Sequence, residues 1–394
     1  MQPDPAKSLP LPDLESANHS KRVADFLREE ISASGGAISF AEYMHHALYA
    51  AGLGYYAAGT RKFGAGGDFV TAPEVSAVFG KVLARQCVDV LGQLESPDLL
   101  EIGAGSGRLA VDVLGKLAEL RALPKQYLIL EVSADLRERQ ESLLRAEVPE
   151  LFERVAWVDG WPAQHRGVIV ANEVLDALPV ERFARRSDQL MQQCVVKDGE
   201  GFAIAERPAP EHLAVAVTEI EQNLGQTLPN GYVSEVCIAV PPWIAELAAA
   251  LQEGMAFLFD YGVSRREYYA RERSGGWLRC HFRHHAHNDA LVLPGIQDIT
   301  AWVDFTAVAG AAADHGLDVV GFVTQAQFLI NGGLDAELSG LADLPIDAQL
   351  RVAGEVKLLT LPGEMGEHFK CMGLSRGSPT RPPALGNAER MAAL

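Results

Sequence analysis

The stretch Leu99-Leu100-Glu101-Ile102-Gly103-Ala104-Gly105-Ser106-Gly107-Arg108 carries the densest chemical signal in the chain. An apolar run ending in Glu-x-Gly-x-Gly-x-Gly reads as a strand turning tightly into a helix, with glycines that let a ligand approach the backbone. The third glycine follows the second too closely for the Gly-x-Gly-x-x-Gly dinucleotide fingerprint, and the Gly-Lys-Ser/Thr of a phosphate loop is missing. Glu101 turns the reading toward S-adenosylmethionine (SAM), because a ligand with an ammonium and a sulfonium tolerates carboxylates that a pyrophosphate repels. Glu131 ends the next apolar run, where an acid can accept hydrogen bonds from both ribose hydroxyls; the competing assignment is a carboxylate at a helix N-terminus. Asp159, before Gly160, could take an adenine amino group with Trp157 or Trp161 beside the ring, or simply form a turn. Glu173 and Asp176 lie three residues apart in Ala171–Val180 (ANEVLDALPV), at a strand-to-helix junction. Facing one way they would suit a cationic acceptor, a guanidinium above all, which carboxylates bind bidentately. Otherwise they are a helix cap and a dipole partner.

These residues need a scaffold, and the chain offers strand–helix alternation from residue 97 onward. Strands are expected at Asp98–Ile102, Gln126–Glu131, Val155–Val158, Gly167–Ala171, Met255–Phe259 and Leu317–Val323, with helices at Arg108–Leu120, Ala134–Ala146, Pro242–Leu251 and Phe305–His315. Two final β-like segments are Val356–Leu361 and Phe369–Leu374. The fold class is α/β, an open Rossmann-like sheet of the kind that binds ligands at the carboxyl ends of its strands. Residues 1–19 and 375–394 read as a flexible arm and tail, 20–94 as an N-terminal helical segment, and 95–374 as the core with a β-rich insertion at 181–240. Within the helical segment, Ser39 and Glu42 form a capping box. A glycine-dense stretch (Gly52, Gly54, Gly59, Gly64, Gly66, Gly67) is either a loop fitted to a ligand or a surface turn. Residues 260–300 read as a long loop carrying the patch Cys280-His281-Phe282-Arg283-His284-His285-Ala286-His287. Its spacing matches no standard zinc framework, so no metal is expected.

The chain has 394 residues, with 34 basic and 52 acidic side chains and a net charge of −18. At ~150 residues per domain the length allows two or three domains or one enlarged one. The acidic balance argues against nucleic-acid binding, which rests on Lys and Arg contacts to phosphates. No apolar run is long enough to span a bilayer, so no membrane insertion is expected. The start, Met1-Gln2-Pro3-Asp4-Pro5, has neither signal-peptide nor transit-peptide character. Five scattered cysteines without a CxxC suggest free thiols in a reducing compartment, and cytoplasm is the default location.

The chain resembles the MidA family of class I SAM-dependent methyltransferases. The resemblance is carried by Gly67–Ser76 (GDFVTAPEVS), Glu101–Gly107 (EIGAGSG), Ala171–Val180, Asp260-Tyr261-Gly262, Leu278-Arg279-Cys280, Pro294–Phe305 (PGIQDITAWVDF), Thr324-Gln325 with Phe328-Leu329, and Phe369-Lys370. Ala104 and Ser106 depart from the family's usual glycine loop, and Trp302 stands where a His is common. The resemblance implies SAM as cofactor, with Gly103, Gly105 and Gly107 along its methionine part, Glu131 at the ribose, and Asp159 and Gly160 at the adenine. Thr71, Pro73 and Glu74 would close the site, and Asn172, Glu173 and Asp176 would face sulfonium and acceptor. Asp260 and Tyr261 would add to the acceptor pocket. Apart from the resemblance, Tyr55, Tyr56, Phe69 and Tyr261 are either aromatic walls whose ring faces meet the cations or simply core residues. The family's mitochondrial member symmetrically dimethylates an arginine of a core subunit of respiratory complex I during assembly. The same activity on a protein partner is therefore the implied function here. A methyltransferase of a small molecule or RNA, or a SAM-binding assembly chaperone without turnover, are the alternatives.

Overall fold

The computed structural model describes residues 9–58, 70–187, 189–377, 380–386 and 388–394. Gly59, Gly64, Gly66, Gly67 and Phe69 lie outside the described residues. The chain divides into two compact units, one formed by Val70–Val174, Pro241–Val263 and Phe305–Leu394, the other by Met1–Phe69, Leu175–Val240 and Ser264–Asp304.

The first unit is built on the sheet that the alternating pattern anticipates. In spatial order its strands are Asp318–Thr324, Phe369–Arg376, Leu251–Val263, His165–Asn172, Asp98–Ile102, Tyr127–Leu130 and Val155–Val158. Phe369–Arg376 runs antiparallel to both of its neighbours, while the pairs from Leu251–Val263 across to Val155–Val158 are parallel. From Asp98–Ile102 the chain first adds strands on one side and then crosses back to lay His165–Asn172 on the other. The order therefore reverses between these two strands, and in open α/β sheets a crevice for ligands opens at that switch point. The central strands carry Leu99, Ile129, Val168, Val170, Phe257 and Phe259, all buried in one core with Phe79, Val82 and Cys87 of helix Ala77–Leu91 and Leu109, Val113 and Leu114 of helix Arg108–Glu119. Near-continuous apolar strands of this kind are what a sheet covered on both faces requires.

Two expectations in this unit are corrected. Val356–Leu361 is not a strand: it lies at the end of helix Ile346–Thr360, in which only Leu359 is buried. A short apolar run does not reveal its own period, and helix and strand then look alike. The tail is not a loose end throughout either, because Phe369–Arg376 reaches past residue 375 and Ala384 and Leu385 sit in the core.

The second unit joins helices Leu14–Ala33 and Phe40–Tyr49 to two antiparallel sheets. The capping box forms as expected, Glu42 N–H donating to Ser39 Oγ at 3.1 Å and Ser39 N–H to Glu42 Oε2 at 2.8 Å. Helix Leu14–Ala33 starts inside the expected arm, with Asp13 Oδ1 accepting from Ser16 N–H. The 181–240 insertion supplies most of a five-stranded sheet, in which Gln189–Asp198 pairs with Ile38–Ser39, Glu181–Arg186 and Gly201–Pro208, and Glu181–Arg186 with Val233–Val236. The expected long loop at 260–300 is also corrected. Leu278–Phe282 pairs with both His285–His287 and Asp298–Ala301, so the histidine patch lies on a small sheet. His281 is driven down to about 4 chiefly by burial, which keeps its imidazole neutral near pH 7.

Candidate active site

The glycine loop leaves the carboxyl end of Asp98–Ile102 with Gly103, Gly105 and Gly107 all at positive φ (67°, 55° and 87°). Glycine adopts this backbone without the Cβ penalty, and at two of the three positions space adds a second demand. A Cβ on Gly103 would approach Val174 Cγ2 to 3.2 Å, and one on Gly107 would approach the Cα of Gln140 to 3.3 Å. Gly107 then caps helix Arg108–Glu119, whose first N–H groups and positive dipole end are turned to the loop. Glu74 belongs to the short helix Ala72–Val75 with Thr71 as its cap and Pro73 buried within it, and its carboxylate accepts a hydrogen bond from Ser106 Oγ. The structure thus brings the Thr71–Glu74 segment against the glycine loop.

Glu101 stands one residue inside the strand end, 3% exposed, and its Oε2 accepts from Tyr127 Oη at 2.6 Å. Burial pushes its carboxyl up to about 7, the Tyr127 hydrogen bond opposing and the Glu131 charge adding to the rise. Glu131 follows Tyr127–Leu130 and is also buried; Oε1 accepts from Ser133 N–H at 2.9 Å, and Oε2 from Gln140 Nε2 at 3.2 Å. Ser133, not Glu131, caps helix Ala134–Glu147. Arg137 on that helix donates to Glu131 O at 2.6 Å, to Val158 O at 3.0 Å and to Asp159 Oδ1 at 2.7 Å. Asp159 is thereby moored beside Glu131 although its side chain is 92% exposed. Trp157 donates its indole N–H to Gln140 Oε1 at 2.8 Å, whereas Trp161 packs edge-on against Trp243.

On the neighbouring strand the chain reaches Asn172 and then Glu173, whose φ of 54° places a non-glycine residue in the left-handed region. Its N–H donates to Phe259 O at 2.9 Å, so the strained residue is held to the adjacent strand where the parallel pairing of the two ends. Asn172 Nδ2 donates to Glu173 Oε1 at 3.2 Å. Backbone strain of this sort costs on the order of 1–3 kcal/mol and persists where the surroundings impose it, commonly at functional sites. Asp260 follows Phe259 with no exposed surface, its Oδ1 accepting from Tyr261 N–H at 2.9 Å, and Tyr261 meets Phe369 edge to face. Residues 173–180 form turns, not the helix start that the spacing suggested, so the cap reading of Glu173 and Asp176 falls away. Asp176 belongs to the other unit, where it is buried and its carbonyl accepts from Ala301 N–H at 3.0 Å. Tyr55 is a core residue of that unit, and Tyr56 donates to Asp298 Oδ1 at 2.9 Å. Gln140 and Arg137 were not singled out in the sequence. For Gln140 a signal existed: a polar residue between Leu136 and Leu144 on the one buried face of its helix.

An open sheet with a glycine loop at its switch point, buried acids at the ends of two neighbouring strands and a strained acid at the end of the next strand is the architecture of the class I methyltransferase fold. The cradle fits SAM: it presents left-handed glycines and a helix N-terminus beside carboxylates that a cationic, non-phosphorylated ligand tolerates. Residues 82–323 match the family described as "Putative S-adenosyl-L-methionine-dependent methyltransferase", and the chain belongs to that family. It is a SAM-dependent methyltransferase with SAM as its cofactor. A crystal structure of a COG1565 superfamily member from Burkholderia thailandensis bound to S-adenosyl-homocysteine is 39% identical, with a TM-score of 0.90 over 96% of this chain and 98% of that one. Protein arginine methyltransferase NDUFAF7, mitochondrial, of Danio rerio is 30% identical over 90% of this chain and 87% of its own. The human protein of that name is 29% identical over 86% and 80%. These relatives are named mitochondrial, which overturns the cytoplasmic expectation. Free thiols report a reducing environment and do not identify the compartment that provides it. Among the described residues no helix is long and apolar enough to cross a membrane.

Proposed function

We propose that the chain is a protein arginine N-methyltransferase that forms symmetric dimethylarginine on a subunit of respiratory complex I during assembly. The observation that carries the reading is Glu173, a carboxylate held in a left-handed conformation at the switch point, one residue from the Val174 that packs on Gly103. The names of the curated relatives support arginine as acceptor, and the family resemblance supports the complex I subunit. The net charge of −18 favours encounter with a basic protein segment over RNA.

In this reading Gly103, Gly105 and Gly107 line the methionine part of the cofactor, Glu131 takes the ribose hydroxyls, and Asp159 and Gly160 border the adenine. Glu101 is assigned to the cofactor with them, and Thr71, Pro73 and Glu74 close the edge of the site. When bound, the cofactor supplies a methyl group on a sulfonium that is already a good leaving group. The protein's task is therefore alignment. A guanidinium stays protonated at neutral pH and makes a poor nucleophile. Glu173, oriented by Asn172, would pair with the two nitrogens that do not react and draw positive charge toward them, while Asp260 and Tyr261 flank the acceptor. Asp176 is assigned to the acceptor on the resemblance alone. The chain is one enlarged methyltransferase core with the 181–240 insertion as its elaboration.

The test is transfer of radiolabelled methyl from SAM into a cell lysate, followed by mass spectrometry of arginine methylation in a deletion strain. Label in a protein band and loss of symmetric dimethylarginine from a complex I subunit are expected. Label only in a small-molecule or RNA fraction would sink the acceptor assignment, and cofactor binding without any product would point to a chaperone.

A further inference from the structure

Gln140 is fully buried on helix Ala134–Glu147, and its amide makes three hydrogen bonds to three different segments. Nε2 donates to Gly105 O at 2.9 Å and to Glu131 Oε2 at 3.2 Å, while Oε1 accepts from Trp157 Nε1 at 2.8 Å. The partners settle the amide's orientation. An indole N–H only donates, and a carbonyl and a carboxylate only accept, so the amide cannot be turned over without losing all three bonds. The backbone of the same residue is what a Cβ on Gly107 would strike. One side chain therefore touches the middle of the glycine loop, the acid that ends the second strand and the tryptophan of the third, and its own main chain sets how closely the helix approaches the loop.

We propose that Gln140 is a positioning residue for the nucleoside half of the cofactor: its amide holds the Gly105 carbonyl, the Glu131 carboxylate and the Trp157 indole in the single arrangement that accepts the ligand. The proposal rests on the cofactor-site reading above and goes beyond it by assigning the registration of three separate segments to one residue. Its chemistry is specific. Leucine has similar bulk but leaves the Gly105 carbonyl, the buried Glu131 carboxylate and the Trp157 indole N–H without this partner. Glutamate has the right shape but, when ionised, sets a second negative charge beside Glu131 and faces the Gly105 carbonyl with an acceptor. When protonated, it can donate to Glu131 and accept from Trp157, restoring two of the three bonds and the net charge of the wild-type cluster.

The experiment is calorimetric titration of the full chain with S-adenosyl-homocysteine at pH 8 and pH 6, using wild type, Gln140→Leu, Gln140→Glu and Glu131→Ala. Gln140→Leu is expected to weaken binding by about tenfold or more. Gln140→Glu is expected to bind poorly at pH 8 and to recover toward wild type at pH 6, a rescue that a merely space-filling role would not produce. Should Gln140→Leu fail to fold, the two pH values of Gln140→Glu decide. Binding by Gln140→Leu at wild-type strength, or an equal deficit of Gln140→Glu at both pH values, overturns the role of Gln140 provided that Glu131→Ala binds weakly. If Glu131→Ala binds as wild type does, the cofactor-site reading itself fails and takes this proposal with it.

Discussion

Both units bury carboxylates, and they do opposite things with them. In the unit with the parallel strands, Glu101 and Glu131 are buried at the carboxyl ends of strands beside the positive-φ glycine loop, and Asp260 is buried within Leu251–Val263, next to the Phe259 that holds the strained Glu173. In the antiparallel unit, Glu235 has no exposed surface and lies inside strand Val233–Val236, where it accepts from the Trp277 N–H at 2.5 Å. Arg182 and backbone N–H groups of the Trp277–Leu278 segment hold its carboxyl down while burial, the larger effect, pushes it up. Gly276 beside it has φ 81° and no room for a Cβ, which would fall 1.8 Å from Glu235 Oε2. Around Glu235 the polar chemistry closes a loop onto a sheet. Around the glycine loop it leaves acids arranged along an edge where strands end. Burial of a charged group is thus no mark of function. Its place at the switch point of a parallel sheet, beside the left-handed Glu173, is what separates the two cases.

That contrast can be broken at either end. Glu173→Gln should reduce methyl transfer by about a hundredfold or more, the order seen when one group that stabilises a transition state is removed. Binding of S-adenosyl-homocysteine should hardly change; equal loss of both would make Glu173 a structural residue like Glu235. Gly276→Ala should do the reverse, destabilising the fold by a few kcal/mol through strain and overpacking, with cofactor affinity of the folded fraction unchanged. Thermal melting alongside the same titration checks it.

Glu101→Gln sharpens the comparison through pH. A carboxyl raised to about 7 in the folded state from an ordinary value of 4.5 binds protons more tightly when folded. The folded state therefore loses stability as pH rises between those values and carries the full penalty above them. The glutamine variant should be more stable than wild type at pH 8, by on the order of 1–3 kcal/mol, and the advantage should shrink to nothing near pH 4. A constant difference across that range would show that burial of the charge is not what Glu101 contributes. Smallest of all, Asp159→Asn removes an exposed ion pair with Arg137. The change in melting should stay within about 1 kcal/mol, and any loss of cofactor affinity beyond that would give Asp159 a direct role at the adenine.

Much of this was legible before the structure because it is written locally. The glycine spacing, the acids ending successive apolar runs and the Ser39–Glu42 capping box each depend on residues close together in the chain. The failures share the opposite property. Val356–Leu361 looked like a strand because six residues cannot show a period, and the histidine patch looked like a loop because its partner strand, Asp298–Ala301, is separated from it by a connecting segment. The turn at 173–180 defeated the expected helix because the hold on Glu173 comes from Phe259, far along the chain.

By itself, then, the sequence determined the kind of cofactor and the alternation of elements that carries it, since backbone freedom at glycine and the period of apolar residues are properties of neighbouring positions. Only the tertiary structure decided that Phe369–Arg376 enters the sheet antiparallel between two earlier strands, that Asp176 belongs to a different unit from Glu173, and that Gln140 joins the glycine loop, Glu131 and Trp157. Those outcomes depend on which distant surfaces bury one another, and a hydrogen bond between residues far apart in the chain leaves no trace in the spacing of either.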